Sequence, residues 1–153
     1  MIKIMFICHG NICRSPMAEF IMKDIVRKAG LSDSFEIASC ATSTEEIGNP
    51  VYPPARAELK KHGITCDGKR AVQLKKSDYA RYDYLVCMDS YNRRNMMYIL
   101  DCDPERKISR LMDHTDRPGD VFDPWFTNDF KTAYTDIYDG CTALFNKLKD
   151  HAE

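Results

Sequence analysis

The chain of 153 residues carries 22 Lys+Arg against 23 Asp+Glu, and a net charge of -1 favours neither nucleic acid nor an anionic membrane surface. Hydrophobic residues at 44% and charged residues at 29% are the proportions of a soluble globular protein, which excludes a disordered or fibrous chain. The length suits a single domain, residues 1–153, with a sizeable core.

Ile2 to Cys8 is apolar apart from Lys3, the pattern of a strand buried on both faces. Ser15 and Pro16 read as N-cap and first helical residue, and Gly30 as a stop, so a helix is expected over about 16–29 with Met17, Phe20, Ile21 and Ile25 on one face. Phe35 to Ala41 gives a second strand, and the turn-rich "STEEIGNPVYPP" a loop. A short helix follows over 54–62, ended by Gly63. Tyr84 to Met88 is the third strand, 90–100 the next helix, and 107–112 the region of a fourth strand. Phe130, Ala133, Tyr134, Ile137, Cys141, Leu144, Phe145 and Leu148 recur at helical spacing and mark the last helix. Strands alternating with helices predict an α/β fold of three layers, a central four-stranded parallel sheet with helices on both faces. Ligands in such folds bind beyond the carboxyl ends of the strands, which points to the loop after the first strand.

No apolar run approaches the roughly 20 residues of a membrane span. The short run Ile4 to Ile7 behind Lys3 is too little for a secretory signal. The seven cysteines (8, 13, 40, 66, 87, 102, 141) are scattered and odd in number, as expected of reduced thiols in the cytoplasm. The four histidines (9, 62, 114, 151) pair with no Cys-x-x-Cys, so neither a metal nor a cofactor is expected.

The loop itself reads CHGNICRS, residues 8 to 15. A strand turning through Gly10 and Asn11 into a helix can aim its backbone N–H groups inward as an anion-binding nest. Gly10 has no Cβ to obstruct the turn, and Asn11 tolerates the left-handed conformation that nests need. The helix adds the positive end of its dipole, and Arg14 a planar two-pronged donor matched to a tetrahedral oxyanion. The anion this suits is phosphate, held by His9, Gly10, Asn11, Ile12, Cys13, Arg14 and Ser15. The same field favours the thiolate of Cys8, a nucleophile aimed at phosphorus. A cysteine that merely ends a buried strand is the commoner case, but not one joined to this loop.

CHGNICRS, within "FICHGNICRSPMAE", resembles the C-x5-R-S signature of the low-molecular-weight protein tyrosine phosphatases. C-x5-R alone is shared by several phosphatase lineages; G-N-x-C-R-S-P so near the amino terminus is much more specific. The resemblance extends through "KHGI" at 61–64, "YDYLVCMD" at 82–89 and "DPW" at 123–125. It implies hydrolysis of phosphotyrosine in a protein or peptide, with inorganic phosphate released, by a monomer or weak dimer. Cys8 is then the nucleophile and Arg14 holds the phosphate. The proton donor opposite is placed by the resemblance in a late Asp-Pro-aromatic loop, which matches Asp123. Trp125 and Phe126 would give that carboxyl an apolar flank, the setting that favours the protonated form of a general acid. Asp103-Pro104 has no aromatic neighbour and reads as a plain turn.

The resemblance assigns further roles. Ser39 matches a serine that steadies the loop asparagine, and Asp89 an aspartate that orients the arginine, although Asp89 equally suits a cap for the helix at 90–100. Ser15 is placed to hydrogen-bond the Cys8 sulfur, a role compatible with capping. Cys13 is implied to close a reversible disulfide with Cys8 after oxidation. His9 belongs on the rim, since loop amides point inward and side chains outward. The rim stretch "TEEIG" lacks the aromatic residue common there, so Glu45 and Glu46 either steer against acidic peptides or form a solvated pair. Trp125-Phe126 replaces the tyrosine pair that some relatives use as phosphorylation targets. "GKRAVQ" at 68–73 stands where many bacterial relatives have G-H-R-A-R-Q.

Three other functions fit less well. A thioredoxin-coupled arsenate reductase needs two further cysteines close together, and Cys87 and Cys102 are 15 positions apart. A phosphotyrosine-binding module would be expected to lose Cys8, Arg14 or Asp123. A phosphocysteine carrier would not need Arg14-Ser15.

Overall fold

The computed structural model, which describes residues 1–152, places β1 (Ile2–Cys8) between β2 (Phe35–Ala41) and β3 (Tyr84–Cys87), with β4 (Ile108–Arg110) beyond β3. Every pairing is parallel. Alternation along β1 explains its continuous apolar run: Ile4 and Phe6 enter the core on one face, Met5 and Ile7 the core on the other. Phe6, Ile4 and Ile7 are fully buried, each contributing on the order of 2 kcal/mol by removal from water.

Five helices cover the two faces. α1 (Arg14–Lys28), α2 (Pro53–Lys61) and α5 (Phe130–Leu148) pack on the side of Ile4 and Phe6 through Met17, Ile21, Leu59, Ile137 and Leu144. The single turn α3 (Asp78–Arg81) and α4 (Ser90–Leu100) cover the other side, α4 through Met96 and Leu100. Gly30 and Gly63 follow the ends of α1 and α2 in the left-handed region (φ 73 and 74), which stops both helices where the sequence predicts.

The differences from expectation are local. α1 starts at Arg14 rather than 16, and Ser15 does not cap it. β4 is only three residues long because the apolar run continues into a 3-10 turn, Leu111–His114. α3 was not foreseen. Asp103 is the plain turn residue expected: it accepts bonds from Tyr79 Oη, Lys107 N and Ile108 N, ordering the start of β4 at the opposite end of the sheet from the loop.

From β1 the chain crosses to β2 on one side and later to β3 on the other. The switch point therefore lies at the carboxyl end of β1, where Cys8 stands.

Candidate active site

The loop from Cys8 to Arg14 carries its left-handed residue at Asn11 (φ 58), not at Gly10. Asn11 is fully buried, and its side chain fixes the conformation from three directions. Its Nδ2 donates to Ser15 Oγ at 2.8 Å and to Ser39 Oγ at 3.0 Å, while its Oδ1 accepts Val72 N at 3.2 Å. The turn does not exclude a Cβ at Gly10, which would meet Glu46 Cγ at 3.4 Å, Ile12 Cγ1 at 3.7 Å and Glu46 Cβ at 3.9 Å, ordinary contacts all.

The direction of this network follows from its ends. Glu19 is buried and, as a carboxylate, accepts; Ser39 Oγ must give it the proton of their 2.6 Å bond. Ser39 then accepts from Asn11, whose second amide hydrogen goes to Ser15 Oγ. Ser15 is left to turn its own hydrogen to the Cys8 sulfur at 3.0 Å or to the Cys40 carbonyl at 3.4 Å. Asn11 N donates to the same sulfur at 3.3 Å. The sulfur thus faces two groups able to donate to it, the Asn11 N–H and the Ser15 hydroxyl. Because its hydroxyl is used this way, Ser15 is no N-cap.

Arg14 is buried, and its guanidinium spans three groups. Nη2 donates to Asp89 Oδ2 at 2.7 Å, Nη1 donates to the Val121 carbonyl at 3.1 Å, and Asp123 Oδ2 lies 3.7 Å from Nη2. Burial works against its charge, but Cys8, Asp89 and Asp123 outweigh that and hold the guanidinium above its ordinary pKa. Asp89 performs both roles left open by the sequence. Its Oδ1 accepts Asn92 N at 2.8 Å while Asn92 Oδ1 accepts Asp89 N at 3.1 Å, a reciprocal cap on α4.

Asp123 stands on the loop before α5, its side chain 48% exposed. The expected apolar flank is not closed around it. Trp125 leans on Tyr52, ring centres 5.2 Å apart, and Phe126 is 90% exposed. Asp123 Oδ1 accepts Trp125 N at 3.0 Å, a local turn that leaves the carboxyl half exposed beside its aromatic neighbours. Cys8, Arg14 and Asp123 nonetheless line one cavity of about 490 Å³, together with Trp125, Phe126 and Glu45.

His9 is on the rim as expected, and its Nε2 meets Glu45 Oε2 at 2.5 Å. Glu46 accepts Asn49 Nδ2 at 2.6 Å, so the two glutamates hold separate partners rather than forming a pair. Cys13 is largely buried but lines the same cavity, and burial, with the charges of Cys8 and Asp123, pushes its thiol up to about 12.

Sequence reasoning missed four participants. Glu19 is the buried anion under the loop; Lys69 steadies it from 3.6 Å and donates to the Ser39 carbonyl at 2.8 Å. A charged residue on the apolar face of α1 was the available signal for Glu19. Tyr91 and Asn95, from α4, form a cavity wall for which the sequence held no sign.

Among the described residues no group of three or more His, Cys, Asp or Glu is disposed to hold a metal ion, and no helix is long and apolar enough to cross a membrane. The family model described as low molecular weight phosphotyrosine protein phosphatase matches residues 3–153. The low molecular weight protein-tyrosine-phosphatase YfkJ of Bacillus subtilis is 34% identical over 151 residues, 97% of each chain. Its crystal structure superposes with a TM-score of 0.95, covering 100% of this chain and 98% of that one. The human low molecular weight phosphotyrosine protein phosphatase is 34% identical over 151 residues, 94% of each chain. A low molecular weight protein tyrosine phosphatase of Streptococcus pyogenes, 37% identical over the whole of both chains, superposes with a TM-score of 0.87.

Proposed function

Because the chain belongs to the low molecular weight phosphotyrosine protein phosphatase family, and so is an enzyme of the protein-tyrosine-phosphatase class, we propose that it hydrolyses phosphotyrosine through a cysteinyl phosphate on Cys8. The observation that carries this reading is the pairing of two groups able to donate to the Cys8 sulfur with a buried Arg14 that faces Asp123 across the same cavity.

In the first step the Cys8 thiolate attacks phosphorus and the bond to the tyrosine oxygen breaks. Asp123 gives its proton to the departing phenolate, whose own basicity would otherwise make it a poor leaving group. In the second step water attacks the phosphorus of the cysteinyl phosphate, Asp123 takes its proton, and inorganic phosphate leaves. Ser15, freed to donate toward sulfur, stabilises the thiolate as it departs. Arg14 and the backbone N–H groups of the loop hold the equatorial oxygens through both steps. Asp89 and the Val121 carbonyl fix the guanidinium, so little reorganisation accompanies the reaction.

The reading extends to a phosphoprotein or phosphopeptide as substrate, a cytoplasmic setting, a monomer or weak dimer, and a Cys13 that closes a disulfide onto oxidised Cys8. An arsenate-reducing relay lacks support. Cys87 is buried in β3, its thiol pushed up to about 12 by burial, whereas Cys102 is exposed after α4.

The experiment is steady-state hydrolysis of p-nitrophenyl phosphate in chelator, from mildly acidic to neutral pH. The wild type is expected to turn over and Cys8→Ser to be inactive. Asp123→Ala should lose about 10²- to 10³-fold in kcat together with the acid-dependent limb. A fully active Cys8→Ser enzyme would sink the mechanism.

A further inference from the structure

We propose that Asp120 is a positioning residue for the general acid Asp123. The inference rests on the phosphatase reading above. Asp123 belongs to a loop between β4 and α5, and its own side chain meets Arg14 only through one ion pair at 3.7 Å, Oδ2 to Nη2. Residues 120 and 121 instead lie stitched along residues 88 to 90. Val121 N donates to the Met88 carbonyl at 2.8 Å, and the Val121 carbonyl accepts Arg14 Nη1 at 3.1 Å. One residue earlier, Asp120 Oδ1 accepts Ser90 N at 3.0 Å and Ser90 Oγ at 3.2 Å. Ser90 opens α4 and directly follows Asp89, the residue that orients Arg14. A single carboxylate therefore locks the acid's loop to the element that sets the phosphate-binding arginine.

Arg110 completes the lock. Its Nη1 donates to Asp120 Oδ1 at 3.1 Å and to Ser90 Oγ at 2.9 Å. Its Nε and Nη2 grip the two oxygens of Asp113 at 2.9 and 3.0 Å. The guanidinium thus ties the end of β4 and the turn after it to the same point. On the far side of Val121, Phe122 N donates to Asp136 Oδ2 on α5 at 3.0 Å, and Arg117 holds Asp136 at 2.7 Å. Three consecutive residues before Asp123 are each bonded to a separate element, and Asp120 is the one that does so through its side chain. It is half exposed, so its ion pair contributes little to stability. Its effect falls on where Asp123 sits, and general acid catalysis is sensitive to that distance.

The test compares kcat/KM for phenyl phosphate and p-nitrophenyl phosphate. Phenolate, the more basic leaving group, depends more steeply on the proton from Asp123 than p-nitrophenolate does. Asp120→Ala is expected to lose about tenfold or more on phenyl phosphate and less than about threefold on p-nitrophenyl phosphate. Arg110→Gln should widen the ratio in the same direction by less. Asp120→Asn, which keeps an oxygen acceptor for Ser90 N, should restore most of the wild-type ratio. Should Asp120→Ala fail to fold, the Arg110→Gln ratio decides alone. An unchanged ratio in folded variants, with or without an equal loss on both substrates, overturns the assignment. A wild type that turns over neither substrate overturns the phosphatase reading instead, so the two failures are told apart.

Discussion

Asp89 divides its two oxygens between the site and the fold, Oδ2 accepting Arg14 Nη2 at 2.7 Å and Oδ1 accepting Asn92 N at 2.8 Å to cap α4. The two uses separate by substitution. Asp89→Ala removes the cap, for a loss of about 1 kcal/mol, and leaves a buried guanidinium short of its counter-charge. Asp89→Asn keeps an acceptor for Asn92 N, removes the charge and sets an amide N–H in place of the oxygen that accepts from Arg14. Urea unfolding should find the alanine variant less stable than the asparagine variant. Both should lose about ten- to hundredfold in kcat/KM for p-nitrophenyl phosphate. Wild-type activity in Asp89→Asn would mean that Arg14 is held adequately by Val121 and Asp123 alone.

The network beneath the loop makes a second prediction, at Lys69. Glu19 is buried against Ser39 and receives Lys23 at 2.6 Å and Lys69 at 3.6 Å. Lys69 also reaches the Ser39 carbonyl at 2.8 Å, so it braces both ends of the serine that steadies Asn11. Lys69→Met leaves the buried carboxylate with one mobile cation and an unmet carbonyl, for a loss of about 1–3 kcal/mol. Activity should fall with it, because Asn11 holds the left-handed turn and aims Ser15. Lys69→His, which restores the residue of the family pattern at this position, should recover stability if its ring reaches Glu19. Thermal unfolding and phosphate inhibition measured on the same samples check both points; a Lys69→Met variant as stable as the wild type removes the brace from the account.

These two residues also mark what a sequence can disclose. β1 and α5 are legible because periodicity is written along each of them, and Cys8 with Arg14 because the loop is contiguous. Ser39, Asp89 and Asp123 fall where the family resemblance places them. The start of α1 is misread because Ser15-Pro16 has the form of a cap and first turn, whereas the serine's hydroxyl is engaged by Asn11, the Cys8 sulfur and the Cys40 carbonyl. β4 ends early because Leu111 and Met112 prolong an apolar run that turns into a 3-10 segment buried just as deeply. Lys69 shows only as a departure from the family's G-H-R-A-R-Q, with no sign of its role, and Tyr91 carries no local signal. Their roles arise only when residues 69–72 cross beneath the loop and α4 swings its first turn over the cavity, and that is a property of topology.

Tyr91 supplies the third prediction. It is exposed, lines the cavity opposite the rim of Glu45 and Glu46, and carries the Arg94 guanidinium 4.9 Å above its ring. Tyr91 lines the cavity and Arg94 does not, so the aromatic side chain is what α4 offers to a bound substrate at this point. Stacking of this kind is worth about 0.5–1.5 kcal/mol. Tyr91→Ala should therefore raise KM about three- to tenfold for phosphotyrosine peptides with an apolar or aromatic neighbour. It should leave p-nitrophenyl phosphate unchanged, because that substrate ends at its own ring. An equal change in KM for both substrates would place Tyr91 against the phosphotyrosine ring itself.

The fourth prediction concerns oxidation and turns on Cys13. Burial first, then the charges of Cys8 and Asp123, push its thiol up to about 12, so near neutral pH it is almost wholly protonated. Closing a bridge requires the Cys13 thiolate to attack the sulfenic acid left on Cys8 by peroxide, forming the S–S bond and releasing hydroxide. The sign follows directly: burial, the largest cause, persists when Cys8 is oxidised, so the Cys13 thiolate fraction, and with it the closure rate, rises with pH. Peroxide pulses quenched by alkylation, with Cys8–Cys13 disulfide and Cys8 sulfinic acid counted by mass spectrometry, give that rate at each pH. The bridge should dominate on the alkaline side and sulfinic acid on the acidic side. A yield of bridge that does not change with pH would mean that oxidation of Cys8 first opens the loop and exposes Cys13, since a thiol still largely buried could not close at the same rate throughout.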